Sequence, residues 1–140
     1  MAKPEIAVRT FLLSQSSVTD IVGDRIFPMT LPQNETRSSI VYRRISTNHE
    51  ETIDGSVGGM ADARVQMDCY ADSWNAASDL AEVLRLSGIL DIHGVTNGVD
   101  FRGVRLASGL RMEDDQPTDG TESWRFWASQ DYQFFYLEDV

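Results

Sequence analysis

Ala63-Arg64-Val65-Gln66-Met67-Asp68-Cys69-Tyr70-Ala71 runs directly into Asp72-Ser73-Trp74-Asn75-Ala76-Ala77-Ser78-Asp79-Leu80-Ala81-Glu82-Val83-Leu84-Arg85-Leu86-Ser87-Gly88. The first nine residues alternate. Val65, Met67 and Cys69 share one parity, and Arg64, Gln66, Asp68 and Tyr70 share the other. Successive side chains of a strand point to opposite faces, so 63–71 reads as a half-buried strand. After Asp72 or Ser73, either of which suits a helix cap, the period changes. Trp74, Ala77, Leu80, Ala81 and Leu84 fall at helical spacing on one face, with Asp79, Glu82 and Arg85 towards the other. Gly88 ends the helix. A strand with one apolar face leading into a helix with one apolar stripe predicts a sheet covered by helices.

Upstream, Pro4 suits the first turn of a helix over about 4–14, in which Ile6, Ala7, Val8, Phe11 and Leu12 form a broad apolar face. Ser17 to Asp20 reads as a short second turn ending at Gly23. Arg25 to Pro28 is extended, because the residue before a proline avoids the helical region. Residues 29–39 are a connecting loop, and Ile40–Ser46 is a strand rich in β-branched and aromatic residues. Residues 47–61 carry four glycine and aspartate positions in Asp54, Gly55, Gly58 and Gly59 and read as a long loop or hairpin tip.

Downstream, residues 89–98 form a connector that closes on the turn pair Asn97-Gly98. Val99 to Met112 is a strand interrupted by Gly103 and Gly109, with a bulge expected there. Glu113 to Gly120 reads as an acidic turn. In the final strand Trp124, Phe126, Ala128, Tyr132, Phe134 and Tyr136 share one parity, and Arg125, Ser129, Asp131 and Gln133 the other. The expectation is one α+β domain over residues 1–140: a four-stranded, mostly antiparallel sheet with two helices packed on one face.

Composition narrows the function. The chain has 140 residues, a single cysteine, and 12 basic against 22 acidic residues for a net charge of −10. One cysteine provides no internal disulfide and fits a reducing compartment. Clustered Lys and Arg are what a nucleic-acid groove or an anionic membrane surface calls for, and this balance argues against both. The longest apolar runs are three residues, such as Phe11-Leu12-Leu13, far below the roughly 20 needed to span a bilayer. The N-terminus has no apolar core of a signal peptide.

The residues that carry chemistry elsewhere do not converge. His49 and His93 have no second ligand at metal-binding spacing. Cys69 sits among apolar strand residues, where a thiol is inert. No serine lies in a nucleophile elbow, and the glycines at 55, 58 and 59 match no phosphate loop. Glu113-Asp114-Asp115 lack an apolar pocket that would separate their pKa values. No cofactor, metal or catalytic residue is expected. Arg43 and Arg44 are the basic doublet, placed by a strand on opposite faces and expected to pair with acidic neighbours or a second subunit. Trp127 and Phe135 have the non-core parity of the last strand. Aromatics on a face without helices suggest a surface that another subunit buries.

Several stretches in order resemble the phage tail completion proteins, also called tail-to-head joining or tail terminator proteins. They are Val22-Gly23-Asp24-Arg25-Ile26-Phe27-Pro28, Ile40-Val41-Tyr42, Thr52-Ile53-Asp54-Gly55, the strand 63–71, the helix with Ala77 and Leu80-Ala81, and the aromatic last strand. Ser39 stands where the family often has a proline, and 88–98 and the acidic turn match loosely. The resemblance implies a virion protein that forms a ring, typically a hexamer, at the head-proximal end of the tail tube after assembly in the host cytoplasm. Such a ring ends tube polymerisation. Its partners would be copies of itself, the tail tube protein and the head-tail connector or stopper. DNA would pass through without specific binding, with no membrane involved. Arg43, Arg44, Asp54, Gly55, Trp127 and Phe135 are the expected assembly-interface residues. The alternatives are another neck component, such as a head-completion protein, or a small-ligand-binding module or enzyme. The latter would need a pocket with convergent polar groups.

Overall fold

A computed structural model describes residues 3–49, 59–115 and 125–138. The helices are α1 (Pro4–Leu13), α2 (Ser16–Val22) and α3 (Trp74–Leu86), with a 3-10 turn at Ile89–Asp91. The strands are β1 (Ile26–Pro28), β2 (Ser39–His49), β3 (Met60–Ala71), β4 (Gly94–Thr96), β5 (Val99–Asp115) and β6 (Arg125–Leu137). They form one six-stranded sheet in the order β1-β2-β3-β6-β5-β4.

This corrects the expected four-stranded sheet with two helices. The described sheet has six strands and is mixed, because β1 pairs parallel with β2 while every other pair is antiparallel. There are three α-helices among the described residues. The elements left out of that count are short: β1, read as extended chain, and β4 have three residues each, and α2, read as a short turn, has seven. Three residues cannot display an alternation, so pairing alone defines such strands. β2 also extends to His49, and β3 begins at Met60, inside the stretch read as loop. The backbone of Glu113 to Asp115 continues β5 and is not a turn. The sequence-predicted loop residues Asp54 and Gly55, and most of the acidic turn, lie outside the described residues.

The core follows the predicted parity. Val65, Met67 and Cys69 of β3 and Ala128, Tyr132, Phe134 and Tyr136 of β6 are buried. They meet Ala77, Leu80, Ala81 and Leu84 of α3 and Ala7, Val8 and Leu12 of α1 in one cluster. Burial pushes the Cys69 thiol far above its ordinary pKa, with the neighbouring Asp68 charge adding to the shift. Ser73 caps α3 by accepting a hydrogen bond from the Ala76 N–H at 3.1 Å. After α3, Gly88 takes a positive φ of 102°. At Asn97-Gly98 both residues have positive φ, 49° and 86°, as a tight β4–β5 hairpin demands. Trp74 departs from the expected apolar stripe: it is exposed and packs its ring at 4.9 Å from Phe126.

Candidate assembly surface

Helices cover one face of the sheet. The other face is built by the opposite parity of its two central strands. Strand pairing sets Asp62 beside Phe135, Arg64 beside Gln133, Gln66 beside Asp131, Asp68 beside Ser129 and Tyr70 beside Trp127. The flanking strands add Arg43 from β2 and Arg105, Ser108 and Arg111 from β5.

Two carboxylates anchor this face although none of the described helices covers it. Asp68 is 2% exposed and Asp131 is 3% exposed. Burying a carboxylate is costly unless it is paired and hydrogen-bonded, and both are. Asp131 accepts from Arg64 at 2.9 Å and from Arg111 at 2.9 Å. Asp68 accepts from Ser129 at 2.6 Å and from Gln66 at 2.9 Å, with the Arg43 guanidinium 3.6 Å away. Arg111 also donates to Ser108 at 2.6 Å and Ser129 at 3.2 Å. Arg105 donates to Gln133, which donates in turn to Asp62 at 2.7 Å. The network crosses β2, β3, β6 and β5. Arginine stems can roof a carboxylate while their heads reach water. Here the side chains of Arg43, Arg64 and Arg111 are 40%, 40% and 41% exposed.

Replacing Asp131 with asparagine should therefore destabilise the fold by about 1–3 kcal/mol, the cost of stripping a charged acceptor from partly exposed cations. Thermal denaturation of the variant checks this. A midpoint equal to that of the parent would show that the two arginines contribute nothing through Asp131.

Of the sequence-predicted interface residues, the structure brings some together and not others. Trp127 and Phe135 are on this helix-free face, half-buried, at opposite ends of the polar network. The Trp127 ring lies 5.2 Å from the Tyr70 ring. Phe135 lines a shallow depression with Asn48, His49, Met60, Ala61 and Asp62. Arg43 is on the same face, and its Nε is buried with no hydrogen-bond partner among the described residues. Arg44 points the other way and donates to Glu5 of α1 at 3.0 Å. It ties α1 to β2 on the helix-covered side of the sheet. His49 is exposed beside Glu138, and His93 is exposed.

Sequence reasoning missed the Asp68–Asp131 network. A usable signal was present: two aspartates and three arginines sit on the polar parity of adjacent strands. Reading it needed the register, which brings Arg64, Arg111 and Asp131 together from three different strands.

Comparison with known proteins follows from this geometry. A family model described as Tail completion protein gp17 matches residues 6–127. No curated protein matches the sequence. Among solved structures, a chain of the virion of a native gene transfer agent particle is similar, with a TM-score of 0.56 at 12% identity. The alignment covers 93% of this chain and 92% of that one. Likeness at that identity is likeness of fold. A second solved chain is 12% identical, covers 100% of this chain and 98% of its own, and has a TM-score of 0.47.

Proposed function

Because the chain belongs to the tail completion protein gp17 family, we propose that this structural protein of the phage virion tail works as a closed ring. The ring sits at the head-proximal end of the tail tube, most simply as a hexamer. It ends tube polymerisation and offers a docking surface to the head's connector or stopper. Residues 1–140 act as one tail-completion unit, without catalysis.

The observation that carries this reading is the family match over residues 6–127. The helix-free face supports it. Arginine heads and two half-buried aromatics, Trp127 and Phe135, form a surface of the composition found in subunit interfaces. Head-to-tail contacts that return on themselves close a ring. A net charge of −10 per protomer, repeated around a channel, lets duplex DNA pass without adhering.

Native mass measurement of the purified chain, alone and mixed with its tail tube protein, is the direct experiment. A discrete oligomer, formed alone or on the tube protein, is expected. A chain that remains monomeric within assembled particles would end the reading.

A further inference from the structure

The sheet blunts its two outermost edges only in part. β1 covers β2 at Ile40, Val41 and Tyr42, and β4 covers β5 at Val99, Asp100 and Phe101. Beyond those three-residue strips, β2 from Arg43 to His49 and β5 from Arg102 to Met112 have no strand on their outer side among the described residues. A long open edge is a template for pairing, which proteins ordinarily suppress with short strands or charge.

Here the open stretches carry exposed apolar side chains between their arginines. Ile45 is 48% exposed on β2, and Leu106, Leu110 and Met112 are 36%, 46% and 37% exposed on β5. Leu106 pairs with Tyr132 and Met112 with Ala128, so both share the core parity of the sheet. They remain exposed because the helical layer does not reach them. On the other flank, the Glu5–Arg44 pair holds the start of α1 against β2, and the adjacent Ile6 is 49% exposed.

We infer that the open edge of β5 in one copy pairs with the open edge of β2 in the next, so that the sheet continues from subunit to subunit. The inference rests on the ring reading above and adds a strand-edge contact to the aromatic face named there. A second copy is the occupant because one sheet carries both edges, at opposite sides, each short of apolar cover. Joining them sets the Ile6 and Ile45 flank of one copy over Leu106 and Met112 of the other. The direction follows from the topology. β2, β3, β6 and β5 alternate in direction, so β2 and β5 of one sheet run opposite ways. A neighbour related by rotation about the ring axis keeps that sense, and the new pair is antiparallel. The contact is heterologous, which is the kind that closes rings. Bulges after Arg44 on β2 and after Leu106 and Ser108 on β5 restrict the register.

Amide hydrogen exchange on the full chain, read with native mass on the same samples, tests this. In the oligomer, amides of both 43–49 and 102–112 should slow by about tenfold or more relative to dilute monomer. A Leu106→Lys, Leu110→Lys double variant should lose the oligomer and the protection together, while core amides of β3 stay protected. An oligomer whose two edges exchange as fast as in the monomer overturns the inference and leaves the ring standing. Protection of one edge alone overturns it too, because a second copy must cover both. A chain monomeric alone and with tube protein, with both edges fast, overturns the ring and the inference together.

Discussion

Trp127→Glu is expected to yield a folded protomer that no longer assembles. The Trp127 ring is half-buried on the helix-free face, and Tyr70 is its stacking partner at 5.2 Å. Losing that pair costs the protomer about 1 kcal/mol, a few degrees of thermal midpoint at this size. An interface aromatic of this kind carries about 2 kcal/mol or more, roughly 30-fold in affinity for each contact. In the proposed ring the contact repeats at every subunit, so the losses accumulate. Sedimentation or native mass should show the oligomer gone while circular dichroism is unchanged. In a virus carrying the change, filled heads should separate from tails. Normal assembly would mean that Trp127 faces solvent in the particle. Collapse of the fold itself would mean that the Tyr70 contact is structural.

Leu84→Ala should be the most damaging single change to the protomer. Leu84 is fully buried on α3, within the cluster that joins the helix to β3 and β6. Truncation leaves a cavity that close-packed neighbours fill only in part, at about 2–5 kcal/mol. Total stability of a domain is commonly about 5–15 kcal/mol. The midpoint should fall by roughly 5–15 °C. Leu86, 67% exposed two residues on, is the control. Equal effects at both positions would place the buried face of α3 elsewhere.

Periodicity made the middle of this protein legible. The alternation from Val65 to Cys69 and the stripe from Ala77 to Leu84 each fix a buried face by themselves, and both faces are buried in the structure. The Asn97-Gly98 turn and the irregularity of β5 were equally local. What escaped was short or non-local. β1 is a strand only because Ile26, Phe27 and Pro28 meet Ile40, Val41 and Tyr42. β4 is one only because its hairpin turn delivers it to β5. The doublet Arg43-Arg44 was placed on opposite faces by alternation alone. That Arg44 serves α1 while Arg43 serves Asp68 required the packed structure. Asp131 gives no hint in sequence that two arginines, 67 and 20 positions away, converge on it. Trp127 and Phe135 stood out because large aromatics on a polar parity have no role in the protomer's own core.

The position of β6 also sets when the protein can exist. The last described strand is a central strand in space, inserted between β3 and β5. The three described helices and the other five described strands have left the ribosome before residues 125–137 emerge. Until then β3 and β5 have no common neighbour, and β3 can meet α3 and β2 but not β6. Folding of the sheet waits for residues 125–137, and pairings of such wide sequence separation form slowly. The nascent protomer cannot present a finished sheet, with its two flanks in register with each other, before those residues have emerged. Delivery of β6 thereby orders the two events: the sheet closes first, and only a closed sheet has both of its flanks to offer a neighbour.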